Sequence, residues 1–337
     1  MKTTMPENRL TTFRLASRRT LIGAALAAAA LPSAFAQVAA YPNRPVTLIV
    51  GSAAGGSNDV FARAIGKRLQ DALGQPFLVD NKPSGGGIIA NNIVARAPAD
   101  GYQLVVVSST FTTGAAIRAN LQYDAIKDFK PVAMLARGPL LVTVNKDTPY
   151  KTIQDLVAAA KANPSKLNYG SSGAGSINQF ATEIFADASD TKLTHVPYKG
   201  MGPAVTDLLG GQIDVLVASA PSILSQVKAG KVRALAVTTA QRSPVAPDLP
   251  SLEQSGYKGS AVDLWWGVLA PAATPQPVVD KLNAEINRII QSEDMKAFFL
   301  KEGAEPLVMK PAEFGSYLSN EITRWKAVAR KADIQAD

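Results

Sequence analysis

Seven short apolar runs, separated by stretches with helical spacing, constrain the fold of this chain more than any other feature. The runs are VTLIVG (46–51), FLVDNK (77–82), YQLVVVSS (102–109), LNYGSS (167–172), LTHVPYK (193–199), DVLVAS (214–219) and RALAVTT (233–239). The stretches between them, such as DVFARAIGKRLQDALG and PAVTDLLGG, place apolar residues three and four apart. Continuous apolar strands that alternate with helices are typical of parallel sheets covered on both faces, so the sequence predicts an α/β architecture.

Two long extended stretches interrupt this alternation and predict two lobes. They are DFKPVAMLARGPLLVTVNK (128–146) and DLWWGVLAP (263–271), and the second leads into the helical stretch PQPVVDKLNAEINRIIQS. We interpret both as strands that cross between lobes. The second lobe is then residues 140–259, and the first lobe is residues 37–139 plus 260–337, on which the C-terminal helices pack. Two lobes joined by two crossings form a hinged clamp suited to closing on a small ligand.

The N-terminal residues 1–36 have the pattern of a secretory signal peptide. Arg14, Arg18 and Arg19 precede the apolar run TLIGAALAAAAL, and Ala34-Phe35-Ala36 forms a small-x-small cleavage site. The pair in SRRTLI leaves twin-arginine export open beside the general route. No cysteine stands at the cleavage point, so a lipid anchor is not expected, and no later segment has 18 consecutive apolar residues. We therefore expect a soluble protein of the bacterial periplasm.

Charge and residue types exclude several functions. The 337 residues carry 35 basic and 27 acidic side chains, a net charge of +8. Residues 1–36 hold five basic and one acidic residue, so the mature chain has 30 basic and 26 acidic side chains, a net charge of +4. This mild, scattered charge argues against nucleic-acid binding. Cysteine is absent and His195 is the one histidine, which argues against a zinc site and a Ser-His-Asp hydrolase.

Four loops follow strands and open helices, and they predict the binding site. They are GSAAGGSND (51–59), NKPSGGGIIA (81–90), YGSSGAGSINQF (169–180) and PYKGMGPAVTDLL (197–209). In parallel sheets ligands bind at the carboxyl ends of strands, where these loops lie. Helix N-termini there offer unpaired backbone N–H groups to an anion.

Nucleotide motifs are incomplete in these loops. Gly51 and Gly56 have the spacing of a phosphate loop, but Ser57 and Asn58 stand where that motif needs Lys and Ser or Thr. No G-x-G-x-x-G follows a strand. The remaining donors are amides and hydroxyls, which suit a carboxylate better than a polyphosphate.

Motifs along the whole mature chain resemble the substrate-binding proteins of tripartite tricarboxylate transporters, also called the Bug family of periplasmic solute receptors. In order, they are GSAAGGSND, NKPSGGG, ARAPADGYQL, YDAIKDFKPVA, AKANPSKLNYGSSGAGS, HVPYKGMGPAVTDLLGGQIDV, KVRALAVTTAQRSP, LWWGVLAPAATP and EITRW. The resemblance implies the two-lobed periplasmic-binding-protein (Venus flytrap) fold. It also implies an organic acid held between the lobes, no cofactor or metal, delivery to membrane subunits of a transporter, and a monomer.

The resemblance also implies a set of ligand contacts. Those from the first lobe are Ser52, Ala53, Ala54, Gly55, Ser57, Asp59, Gly86, Gly87, Ser109 and Thr110. Those from the second lobe are Ser172, Gly175, Ser176, Asp214 and Ala218. Because an acid repels an anion, we expect Asp59 to cap a helix or orient its loop and not to touch the ligand.

Departures from the family pattern bear on the ligand. Gly51-Ser52 stands where relatives have proline-phenylalanine, and Gln179-Phe180 where they have histidine-leucine. Ala218 stands where amino-acid receptors often place an acid, which a buried ammonium group would need. With Phe111 and Phe180 available, we expect a dicarboxylate or an aromatic carboxylate in preference to an amino acid.

Two alternatives to a transport receptor stay open on the same fold. One is a sensor component that presents a ligand. The other is a periplasmic enzyme, which would need a nucleophile beside a base or a metal cluster. His195 is distant in sequence from every serine loop, so we expect a structural histidine, although folding can bring such residues together.

Overall fold

The computed structural model describes Met1 and residues 41–331 and 333–335. The predicted signal peptide and its cleavage site lie outside the described residues, Met1 excepted. Two compact units make up the chain, Met1–Asn43 and Arg44–Asp337, and the fold below is that of the second unit. Among the described residues, every helix is too short or too polar to cross a membrane.

Three parallel strands begin the fold. They are β1 (Val46–Val50), β2 (Phe77–Asn81) and β3 (Gln103–Ser108), with β1 paired to both neighbours. The helices that follow them are α1 (Ser57–Leu73), α2 (Ile88–Ala95) and α3 (Thr110–Ile117). A single 3-10 turn, Gly85–Gly87, leads into α2. Each loop between strand and helix therefore opens at the carboxyl edge of this part of the sheet.

The 17-residue strand β4 (Phe129–Asn145) joins the two halves of the sheet. Its residues 129–139 pair antiparallel with β9 (Asp263–Pro271), and its residues 140–145 pair with two other strands. The strand order is β2-β1-β3-β9-β4-β7-β5-β6, where β5 is Asn168–Ser171, β6 is Thr194–Pro197 and β7 is Val215–Ser219. Two further strands, β8 (Val232–Val237) and β10 (Glu305–Pro306), also pair with β4. This change of partner along one strand separates a first half-sheet from a second.

The second half-sheet repeats the β–α alternation. Its strands are β5 (Asn168–Ser171), β6 (Thr194–Pro197), β7 (Val215–Ser219) and β8 (Val232–Val237). Its helices are α4 (Ile153–Ala162), α5 (Ile177–Ser189), α6 (Met201–Leu209) and α7 (Ala220–Lys228). Strand β5 runs parallel to β6 and β7, whereas β4 runs antiparallel to β7 and β8. The sheet is thus mixed, because strands that cross between halves enter from the opposite direction.

The chain ends in β10 (Glu305–Pro306) and three helices, α8 (Gln276–Ile290), α9 (Glu293–Glu302) and α10 (Pro311–Lys331). Helix α10 packs on α3 and β4. It also reaches the second half, where Trp325 stacks edge-on against Phe180 and Lys331 pairs with Asp187. The predicted return of the C-terminal helices to the first half is therefore only part of their packing.

Candidate functional site

A cleft opens where the loops after β1, β2 and β3 face those after β5, β6 and β7. It holds about 680 Å³ of atom-free space, part of which is open solvent. The walls are glycines, serine and threonine hydroxyls, asparagine amides and apolar groups, and none of the lining residues carries a charged side chain. The cleft can therefore bind an anion only through neutral donors.

The structure brings part of the predicted site together. The predicted residues that line the cleft are Ser52, Ser57, Gly86, Gly87, Thr110 and Ser172. The predicted residues outside its lining are Ala53, Ala54, Gly55, Asp59, Ser109, Gly175, Ser176, Asp214 and Ala218. Ligand contact by any of these residues stays a prediction.

Five helices begin at the cleft without a side-chain cap. Their N-cap residues are Gly56 for α1, Gly87 for α2, Ser109 for α3, Gly200 for α6 and Ser219 for α7. Among the helices away from the cleft, α4 has a complete capping box between Thr152 and Asp155, whereas α8 and α9 also lack a side-chain cap. Uncapped N-termini leave backbone N–H groups and the positive end of the helix dipole for another partner. A bound anion meets that need.

A buried acid orders the first loop. The Asp59 carboxylate accepts a hydrogen bond from the backbone N–H of Gly55 at 3.0 Å and lies 2.8 Å from the Arg63 guanidinium. Asn81 accepts from Arg63 and donates to the carbonyl of Ser52 at 3.1 Å. Burial favours a raised pKa for Asp59, but the hydrogen bonds from Arg63, Gly55 and Asn81 outweigh it and lower this pKa. Asp59 thus stays charged and shapes the loop from outside the cleft lining.

Two serines of the first loop present hydroxyls at the cleft. The Trp266 indole N–H donates to Ser57 Oγ at 3.0 Å, so the Ser57 hydroxyl keeps its own hydrogen for a ligand. The Ser52 hydroxyl is buried without a hydrogen-bond partner. Gly51 lets this loop press against the second, since a Cβ atom there would lie 2.6 Å from the Cα of Gly87.

The third loop connects the two halves of the molecule. Ser172 donates to Asn178 Oδ1 at 2.9 Å, and Asn178 donates to the carbonyl of Val217 at 2.8 Å. Across the cleft, Thr113 donates to the carbonyl of Gly175 at 2.7 Å, and Thr110 accepts from the N–H of Ile177 at 3.3 Å. The loops of both halves are therefore in direct contact.

Four other predicted residues have structural contacts. Ser176 caps α5, since its hydroxyl accepts from the N–H of Gln179 at 3.4 Å. Ser109 accepts from the N–H of Trp265 at 3.0 Å and joins β3 to β9. Asp214 accepts from the N–H of Asn168 at 2.8 Å, where β5 begins and not where it ends. Ala218 is fully buried among the apolar side chains of the second half.

Folding brings a serine and the one histidine together, but not as a catalytic pair. Ser171 Oγ lies 2.6 Å from His195 Nε2. Gln179 accepts from the N–H of Gly175 at 2.7 Å with its oxygen, so its NH₂ group faces His195 Nδ1 at 3.4 Å. With Nδ1 as the acceptor from that NH₂ group, Nε2 is the ring nitrogen that carries a hydrogen toward Ser171. In that tautomer His195 donates to Ser171 and does not accept a proton from it.

Ser171 is moreover fully buried and outside the cleft lining, and its hydroxyl contacts the carbonyl of Gly173 at 3.2 Å. Among the described residues, no three His, Cys, Asp or Glu side chains lie together in a way that would hold a metal ion. The arrangement is a structural hydrogen-bond network beneath the third loop.

Sequence reasoning missed several lining residues. Among them are Asn58, Asn91, Asn178, Ser84 and Gly200. Asn58 and Asn178 lie inside predicted loops and Asn91 directly after one, each within the first turns of a helix, so the helical period would have placed them near the cleft. Ser84 and Gly200 lie inside the predicted loops 81–90 and 197–209.

Comparison with protein families gives a match over most of the chain. The profile described as "Tripartite tricarboxylate transporter family receptor" (TctC) matches residues 61–334. The protein BugT of Bordetella pertussis (strain Tohama I) is 34% identical over 293 residues, which cover 86% of this chain and 90% of BugT.

Solved structures of similar proteins contain small acids. Rpa4515 from R. palustris, solved with adipate, is 35% identical with a TM-score of 0.86, covering 88% of this chain and 100% of that chain. MatC (Rpa3494) from Rhodopseudomonas palustris, solved with bound malate, is 33% identical with a TM-score of 0.80, covering 86% of this chain and 99% of that chain.

Proposed function

The chain belongs to the tripartite tricarboxylate transporter receptor family, and on this premise we propose that it captures a dicarboxylate or an aromatic carboxylate in its cleft. Family and structural relatives make it a solute-binding receptor of the periplasmic-binding-protein fold and not an enzyme. The observation that carries the proposal is the set of uncapped helix N-termini around a cleft lined without charged side chains.

Neutral donors suffice to hold a carboxylate. Each helix N-terminus contributes about 0.3–1 kcal/mol toward an anion, and up to about 2 kcal/mol when partly buried. Hydrogen bonds to a charged group add about 1.5–3 kcal/mol each before the costs of association. Several such contacts together account for a dissociation constant in the micromolar range or below.

The lining favours a ligand without an amine. A buried ammonium group needs an acidic partner, and no Asp or Glu lines the cleft. Adipate and malate in the relatives are small dicarboxylates, the class expected here. The cleft also contains apolar surface from Val106, Val107 and Phe111, against which the carbon skeleton of such an acid would pack.

The proposal includes how the receptor works. Residues 140–259 form the second lobe, and the remaining mature chain forms the first. The export signal is cleaved after Ala36, and the loaded monomer works in the periplasm, where it delivers its ligand to the membrane subunits of the transporter. The change of strand partners at Leu140 supports this division, because the same strand passes there from the first half-sheet to the second.

A thermal-shift screen of residues 37–337 tests the proposal. The chain is first unfolded and refolded to remove any ligand that purifies with it. The panel is adipate, malate, succinate, citrate, terephthalate and benzoate, with aspartate and glutamate as amine-bearing controls. We expect a concentration-dependent rise in melting temperature with dicarboxylates or aromatic acids. A rise with aspartate or glutamate alone would contradict the expected ligand class, and no rise with any acid would contradict the carboxylate function.

A further inference from the structure

Arg118 connects the two halves at the cleft, although no sequence motif pointed to it. It lies directly after α3, in the first half, and is half-buried. Its Nη2 donates a hydrogen bond to the carbonyl of Ala174, in the third loop of the second half. The guanidinium is therefore held between the end of α3 in the first half and the third loop in the second half.

Three glycines from three segments make room for this guanidinium. A Cβ atom would lie 2.6 Å from Arg118 Nη1 at Gly175, 3.0 Å at Gly114 and 3.3 Å at Gly86. Gly114 is the strongest sign that this space is needed, because glycine inside a helix lowers helix stability by about 1 kcal/mol relative to alanine. It lies within α3, and the space it leaves is occupied by Arg118.

The charge of Arg118 acts on Tyr123, which lies behind the cleft lining. Burial raises the pKa of Tyr123, while a hydrogen bond from Asn91 and the positive charge of Arg118 oppose that rise. Asn91 donates to the Tyr123 hydroxyl at 3.0 Å and lines the cleft, as does Gly86. One layer of residues thus separates a fixed cation from a cleft whose own lining is uncharged.

We propose that Arg118 sets the charge selectivity of the receptor, favouring dianionic ligands over monoanions with the same carbon skeleton. This inference rests on the proposed function. The helix N-termini bind one carboxylate, and the field of the guanidinium stabilises the second negative charge without touching it. Because Arg118 also holds Ala174, it is a positioning residue for the third loop, and the test must separate this role from the electrostatic one.

Paired probes make that separation. Isothermal titration compares adipate with hexanoate, succinate with butyrate, and terephthalate with 4-methylbenzoate, each pair differing by one carboxylate. The proteins are the refolded mature chain and its Arg118→Gln, Arg118→Lys and Gly114→Ala variants. The control is Arg96→Gln, which makes the same charge change at an exposed residue beyond the far end of α2.

We expect Arg118→Gln to lower the binding affinity for the dianion about tenfold, which is the effect of one unit charge acting through protein. Its monoanion partner should change less than twofold, and Arg118→Lys should keep most of the dianion preference. Gly114→Ala, which displaces the guanidinium, should reduce that preference in the same direction, and Arg96→Gln should leave it unchanged.

Equal weakening of both members of a pair would overturn the inference in favour of a purely structural role, and so would no change in either. If Arg118→Gln does not fold, the charge-retaining Arg118→Lys and the Gly114→Ala variant decide the matter. If the unmodified chain binds no carboxylate, the proposed function fails; if it binds them without loss of selectivity in the variants, only this inference fails.

Discussion

Single residues carry the chemistry of this receptor through what they leave unbonded. Ser57 accepts from the Trp266 indole and so has one hydroxyl hydrogen left at the cleft. Asp59, two residues later, differs from Ser57 because it lies outside the cleft lining. Its carboxylate accepts a hydrogen bond from the Gly55 N–H and pairs with Arg63. A hydroxyl with a free hydrogen inside the cleft, and an acid held outside the cleft lining, are what an anion site requires.

Asp59 gives a pH prediction at this scale. Its pKa is lowered in the folded state, so its stabilising effect is fully present above its unfolded pKa of about 3.9 and is lost as the pH falls through the folded value. Asp59→Asn should therefore lower the free energy of unfolding by about 1–3 kcal/mol at pH 7, a difference that shrinks below about pH 4. Urea titrations from pH 3 to 7 measure it.

Asp71→Asn is the matched control, because Asp71 lies on the same helix in an exposed pair with Lys67. Exposed pairs contribute little, so this variant should stay close to the unmodified chain throughout. A destabilisation by Asp59→Asn that does not vary with pH would show that the lost contact is not electrostatic.

At the scale of elements, the strands were predictable and their directions were not. All seven apolar runs and both crossing strands are present, with ends within two residues of the predicted ones. The antiparallel course of β4 and β9 was not predicted, since periodicity reports which residues are buried and not which way a neighbour runs. The two-residue strand β10 was too short to leave a pattern.

Helix α10 contains the motif EITRW, in which the buried acid Glu321 has a structural role. Glu321 Oε2 accepts from the indole N–H of Trp265 at 3.3 Å and of Trp325 at 2.8 Å. Trp265 lies on β9, so one carboxylate oxygen ties the helix to the crossing strand. The motif is visible in the sequence, but its partner Trp265 on β9, some 56 residues away, could be identified only from the fold.

The substitution Glu321→Met keeps the side-chain volume but leaves the buried indole N–H groups of Trp265 and Trp325 without this acceptor. We expect it to lower the free energy of unfolding by about 2–4 kcal/mol, since an unsatisfied buried donor costs about 1–3 kcal/mol. Equilibrium urea unfolding followed by tryptophan fluorescence measures the change. Glu302→Met, at a half-buried carboxylate at the end of α9, is the comparison, and equal stabilities of the two variants would contradict this role for Glu321.

At the scale of the whole molecule, the four predicted loops do meet in one cleft, because strand ends at one edge of each half-sheet face each other. Six predicted residues line it, whereas Asp214 lies where β5 begins. Arg118 and the Ser171–His195 contact depend on how distant segments meet, which no local pattern encodes. The loops were thus predictable, and the individual contacts within them were only partly so.

A crystal structure of the refolded mature chain with the dicarboxylate that raises its melting temperature most would test the central claim most directly. The account predicts one carboxylate within hydrogen-bonding distance of the N-terminal N–H groups of α1 and of the hydroxyls of Ser52 and Ser57, with no charged side chain in contact. A ligand bound outside this cleft, or one whose carboxylate contacts a lysine or an arginine directly, would contradict it.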